Sequence, residues 1–153
     1  MGDFFRNENG AILTTTAAVA LLVTVFLVGV VILVVTLRPQ RYDPDRFDRE
    51  IEEASQRHQI SPLFVKAVIK KESDFNPWAR GSHGEVGLMQ ITEGAVTEWE
   101  RHTGQRCPLR GLLFDVSLNI EIGTWYLSRA LHRWKGYRDA ERLALAEYNE
   151  ATR

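Results

Sequence analysis

Residues 11–37 read AILTTTAAVALLVTVFLVGVVILVVTL, apolar throughout except for Thr and one Gly. At ~1.5 Å per residue a helix of this run is roughly 40 Å long, more than the roughly 30 Å hydrocarbon core of a bilayer, so the pattern predicts one tilted transmembrane helix. A helix apolar on every side and buried in protein would need a far larger body around it than this chain supplies. A cleaved secretory signal has an apolar region of only about 7–15 residues, a basic start and a small-residue cleavage site. Here Arg6 stands between Asp3 and Glu8 and the run closes on Val-Val-Thr-Leu-Arg-Pro, so an uncleaved span is expected. The organisation expected is a short tail at 1–10, the span at 11–37, a linker at 38–44 and a domain from 45 to 153.

After the linker the apolar positions recur at helical spacing, with Gly and Pro as punctuation. Asp43-Pro44 reads as a helix start, followed by a stripe of Phe47, Ile51, Ala54 and His58. Ser61-Pro62 repeats that signal and opens a helix to about Ser73, before Asn76-Pro77. A Gly-rich stretch, Gly81 to Gly87, leads into GLMQI; Thr92 then caps a helix carrying Val96 and Trp99 that Gly104 ends. Asp115 or Ser117 starts a longer helix with Ile120, Thr124, Leu127, Leu131 and Trp134 at helical spacing, and Asp139 starts a last one through Leu143, Ala146 and Tyr148. No alternating strand pattern stands out, so the expected class is all-α.

Charge sharpens the division. The 153 residues carry 19 Lys+Arg and 20 Asp+Glu, yet the 29 residues between Glu8 and Arg38 carry none. The near balance excludes a strongly basic nucleic-acid binder, and the 44% hydrophobic content excludes a disordered chain. One cysteine, Cys107, permits no internal disulfide and gives no metal spacing; a small buried thiol is its expected role. No cofactor or metal is called for, and the pair His83 and Glu85 is too sparse for a metal site. Thr14/Ala18 and Ala20/Thr24 are small-xxx-small pairs, too common in such a span to identify a protein partner.

Val65, Val68, Ile69 and Glu72 lie at offsets 0, 3, 4 and 7, which puts a carboxylate on the apolar face of the second helix. Such a group is either partly desolvated, with the raised pKa a general acid needs, or it is paired, or it simply turns out to solvent at the helix end beside Lys70 and Lys71. Asp74 cannot form a side-by-side pair with it, since two residues rotate the side chain by about 200°. Gln90 offers both a donor and an acceptor, suited to sugar hydroxyls and amides. Trp99, Trp125 and Trp134 fall on helices, where packing is expected, whereas Trp78 follows Pro77 in a loop and is the candidate for exposure.

Taken in order, Glu72-Ser73 at a helix end, Gly87-Leu88-Met89-Gln90-Ile91 after a Gly-rich loop, Asn119-Ile120 with Gly123 and Tyr126-Leu127, and Ala146-Glu147-Tyr148-Asn149 form a set. This set resembles the catalytic domain of soluble lytic transglycosylases, related to goose-type lysozyme, over about residues 45 to 150. The resemblance implies a lysozyme-like helical domain that cleaves the β-1,4 bond between N-acetylmuramic acid and N-acetylglucosamine in peptidoglycan strands, without a cofactor. It implies Glu72 as catalytic acid/base and Ser73, Met89, Gln90, Tyr148 and Asn149 as substrate-binding residues, with Asn119 and Gly123 structural. Neutral Glu72 would protonate the leaving oxygen, and the ionised form would then take the proton of the C6 hydroxyl as it closes a 1,6-anhydro ring.

Two positions depart from the family's pattern. Glu147 stands where Ala usually precedes Tyr-Asn, and the chain ends at Arg153, before the family's closing Ala-Gly turn and helix, so a truncated final segment is expected. A hydrolase of the goose-type lysozyme kind and a non-catalytic peptidoglycan-binding scaffold are the alternative readings. Arg38 and Arg41 after the span, against Arg6 before it, vote weakly for a cytoplasmic domain by the positive-inside rule. A peptidoglycan substrate reverses that vote, because it lies outside the cytoplasmic membrane; the expectation is a single-pass inner-membrane protein with its domain on the periplasmic side.

Overall fold

The computed structural model describes residues 4–37, 41–107 and 113–151, with side chains from residue 17 onward. Part of the expected linker, 38–40, lies outside these residues. The chain divides into two compact units, Met1–Gln40 and Arg41–Arg153. Among the described residues there are six helices and no strand, as the periodicity leads one to expect.

The first unit is one helix, α1, Phe4–Thr36. Its described side chains are all exposed, and Ala17–Thr36 is long and apolar enough to cross a membrane. The polar groups inside this stretch are satisfied locally: Thr24 Oγ1 donates to Ala20 O at 2.8 Å, and Thr36 Oγ1 to Ile32 O at 2.9 Å. Such bonds along the helix leave no hydroxyl seeking water, which is what a hydrocarbon surrounding requires.

In the second unit α2 spans Asp48–His58, α3 Pro62–Ser73, α4 Glu93–Thr103, α5 Val116–Arg133 and α6 Ala140–Ala151. Helix α5 packs against α2, α4 and α6, which explains why Asn119, Ile120, Ile122, Gly123, Thr124, Tyr126, Leu127 and Ala130 are all buried along it. Its start is the Asp115 alternative, whose side chain accepts from Leu118 N at 2.9 Å. Thr92 Oγ1 accepts from Ala95 N at 3.3 Å, and Gly104, at φ 71°, ends α4 in the left-handed form.

Two expectations are corrected. Helix α2 begins at Asp48, not at Pro44, because residues 44–47 form tight turns. Arg46 N bonds Asp43 O and Asp48 N bonds Asp45 O, while Lys66 of α3 holds Asp45 and Asp48 at 2.7 and 2.6 Å. The last helix runs through Leu143, Ala146 and Tyr148 as expected, with Ala144 and Tyr148, four residues apart, as its buried residues. Cys107 is half-buried at the core's edge and is not an interior thiol.

The exit from α3 is sharp. Asp74 and Phe75 both adopt left-handed backbone, at φ 51° and 61°. That conformation costs a non-glycine residue roughly 1–2 kcal/mol, and burial of Phe75 in the core offsets it.

Candidate active site

The site is built around the four-residue turn Gly87–Gln90, gripped by three helices. From α3, the Ser73 hydroxyl lies 2.9 Å from Leu88 O and 3.1 Å from Ile69 O, donating to these carbonyls. From α5, Asn119 accepts from Met89 N at 2.8 Å and donates to Val86 O at 2.9 Å and Leu113 O at 2.8 Å. From α6, Tyr148 donates to Met89 O at 2.7 Å. A side chain at Gly123 would lie 2.8 Å from Met89 Cβ and Cε, and one at Gly87 2.7 Å from Asn119 Cγ, so both glycines are required for the turn to seat on α5.

Glu72 stands beside Ser73 at the last turn of α3, half-buried. Among the described residues no hydrogen bond or ion pair holds its carboxylate; the neighbouring Lys70 is engaged with Asp74. Its position is thus neither of the two extremes considered from sequence, since it is not paired and does not turn fully out to water. Across from it Tyr148 is fully buried, and its phenol is pushed well above its usual pKa, first by burial and then by the negative charge of Glu72. Tyr148 therefore remains a neutral hydrogen-bond donor. The structure brings Glu72, Ser73, Met89, Gln90 and Tyr148 to one locus, with Asn149 next along α6 and half-buried.

Two of the residues expected to line a groove do not offer their side chains to one. Met89 is 0% exposed, its thioether packed between Gly123 and Thr124. What Met89 contributes is backbone: its N–H and carbonyl join α5 to α6 through the turn. Gln90 is also buried, at φ 49°, and its Nε2 donates to Gly87 O at 2.9 Å, bracing the turn from within. The departure at Glu147 resolves outward: its carboxylate accepts from Trp134 Nε1 at 2.8 Å and pairs with Arg133 at 3.0 Å.

One carboxylate, considered from sequence only as part of a sparse metal pair with His83, is buried. Glu85 folds back under the Gly-rich loop, with Oε2 accepting from His83 N at 2.8 Å. Its own backbone N–H, then that of His83, hold the carboxyl below its usual range against the opposing effect of burial. Gly81 is what makes room, for a Cβ there would lie 2.7 Å from Glu85 Cδ and 3.0 Å from Gln90 Oε1. Ser82 and His83 sit beside it, but Ser82 Oγ and Glu85 both approach Nδ1 of His83, so the three form no proton relay.

Residues 49–153 match the transglycosylase SLT domain family. The membrane-bound lytic murein transglycosylase F of Desulfosudis oleivorans is 37% identical over 107 residues, which cover 68% of this chain and 22% of that protein. The membrane-bound lytic murein transglycosylase C of Pectobacterium atrosepticum is 37% identical over 82 residues, 51% of this chain and 22% of that protein. The chain spans about a fifth of the length of these curated relatives. Among solved structures, lytic transglycosylase Slt of Pseudomonas aeruginosa, an inactive glutamate-to-glutamine mutant, is similar with a TM-score of 0.64 at 27% identity, covering 71% of this chain and 17% of that one. The complex of the 70 kDa soluble lytic transglycosylase with bulgecin A gives 0.63 at 27% identity, covering 69% and 17%. These similarities bear out the all-α, lysozyme-like class expected for the part after the span.

Proposed function

The chain belongs to the transglycosylase SLT domain family, and from that membership we propose that it is a membrane-anchored lytic transglycosylase acting on peptidoglycan. The bond cut is the β-1,4 link between N-acetylmuramic acid and N-acetylglucosamine, and the product ends are 1,6-anhydro sugars. The observation that carries this reading is the half-buried Glu72 carboxylate at the end of α3, which has no hydrogen-bond or ion-pair partner among the described residues and is close enough to the buried, neutral Tyr148 for its charge to act there. Neutral Glu72 gives its proton to the leaving oxygen as the C1–O bond breaks, and the bonding pair leaves with that oxygen. The substrate's N-acetyl group or the field of the site supports the cationic C1. Ionised Glu72 then takes the C6 hydroxyl proton while that oxygen closes on C1, which returns the carboxyl to its starting form.

Most glycosidases place a second carboxylate opposite the acid. Here the nearby candidates are committed elsewhere: Asp74 to Lys70, Glu85 to backbone amides, Glu147 to Arg133 and Trp134. That supports a one-carboxylate reaction in which the nucleophile is the substrate's own hydroxyl. Ser73, Gln90, Tyr148 and Asn149 contribute by holding and lining the site, and Met89 through its backbone. The name membrane-bound carried by the relatives supports an anchoring role for 11–37, with 1–10 as a tail inside, 38–44 as linker and 45–153 as the domain outside the inner membrane.

Glu72→Gln in the full chain, incubated with purified sacculi, tests the assignment. Release of 1,6-anhydro muropeptides should fall by roughly 10³-fold or more, the scale of losing a general acid, with the thermal unfolding curve little changed. An active Glu72→Gln variant would overturn the role of Glu72. Reducing-end products from the unaltered protein, one water heavier, would make it a hydrolase, and binding without release would make it a scaffold.

A further inference from the structure

Trp78 is 65% exposed, which for the largest apolar side chain in a charge-rich domain calls for an explanation. It is not a loosely hanging residue. Asn76 Oδ1 accepts from Trp78 N at 2.9 Å, Asn76 N bonds Ser73 O at 3.0 Å, and Gly87 N bonds Ala79 O at 2.9 Å. The segment 76–79 is therefore a bonded bridge from the residue beside Glu72 to the first residue of the gripped turn, and Trp78 stands on it. Phe114 supports the indole at 5.7 Å between ring centroids, tilted by 33°. The Arg80 guanidinium lies 4.6 Å from the centroid of the same Phe114 ring. Arg80 is exposed, and among the described residues it forms no salt bridge.

We propose that Trp78, Phe114 and Arg80 form a platform at the rim of the site that binds a sugar ring of the glycan strand, with Arg80 taking a carboxylate carried by that sugar. An exposed indole face suits the apolar C–H face of a pyranose, and its bracing removes most of the ordering cost that a free side chain would bring to binding. The guanidinium, oriented by the Phe114 face, presents its outer N–H groups to a carboxylate. Two sources supply that carboxylate in peptidoglycan, the lactyl group of a muramic acid stripped of its peptide and the acidic residues of the stem peptide. The inference rests on the peptidoglycan reading and adds to it a binding surface that the short motifs do not contain.

The test uses the full chain in lipid nanodiscs with soluble glycan strands, intact or stripped of peptides by an amidase. Trp78→Ala should raise KM about tenfold with kcat nearly unchanged, the effect of losing one contact of about 1.4 kcal/mol, and Trp78→Tyr should restore most of it. Arg80→Gln should raise KM on whichever strand carries the recognised carboxylate, stripped or peptide-bearing. An unchanged KM in Trp78→Ala, or a fall in kcat alone, would overturn the platform. So would quenching of fluorescence by brominated lipid that disappears in Trp78→Phe, since it would make Trp78 a membrane-surface residue. If the unaltered protein cuts no strand, the functional reading fails, and retention of strands by the unaltered protein but not by Trp78→Ala still decides the platform.

Discussion

Gly123 and Met89 show how tightly single residues specify the site. The absence of a side chain on α5 lets the turn come close enough for Met89 N to reach Asn119 and Met89 O to reach Tyr148. Gly123→Ala should therefore destabilise the protein by about 1–3 kcal/mol, the usual cost of overpacking. Chemical denaturation would read this as a lower midpoint at constant slope, and activity should fall with it as Tyr148 loses its anchor. That these residues belong together at one turn was legible from sequence, but the direction of their side chains was not. Gln90 turns inward because its backbone is left-handed, and Met89 turns inward because Gly123 lies opposite. Both causes are contacts across 30 or more residues or a dihedral angle, which a short motif does not carry. From sequence Glu85 is only half of a sparse metal pair, and its burial stays hidden for a related reason, as its partners are backbone amides that every residue possesses.

At the scale of elements, helix starts were readable where a local signal sets them: the proline after Ser61 for α3, and the side-chain caps Thr92 and Asp115 for α4 and α5. The start of α2 was not, because it is set from α3 by Lys66. Helices α2 and α5 are clamped by a half-buried cluster that the exposed Arg57 closes: His58 Nε2 lies 2.6 Å from Glu121 Oε1, Arg57 Nε donates to Glu121 Oε2 at 2.9 Å, and Ser128 Oγ donates to His58 O at 2.8 Å. Burial alone would raise the Glu121 carboxyl, but the bonds and charges of His58 and Arg57 outweigh it, and the group sits below its ordinary 4.5. A carboxyl lowered in the folded state contributes stability that is complete above its unfolded value and is lost as pH falls through the folded one. Unfolding midpoints measured from pH 6 downward should thus drop through the region below 4.5, and Glu121→Gln should flatten that drop while lowering stability at neutral pH.

At the scale of the whole molecule, a 29-residue uncharged stretch and a charge-balanced helical domain share one chain, and the average composition describes neither. If the domain meets its substrate outside the cytoplasmic membrane, protease added to intact spheroplasts should degrade residues 41–153 and leave residues 1–10 protected. Protection of the domain would refute that orientation. The three-helix grip on Gly87–Gln90 also has a consequence in time. Glu72 emerges from the ribosome 76 residues before Tyr148, a delay of roughly 4–15 s at 5–20 residues per second. Throughout that interval the carboxylate exists without the tyrosine that closes its surroundings. The chain's own order of synthesis thus withholds the assembled turn until α6 has arrived to hold it.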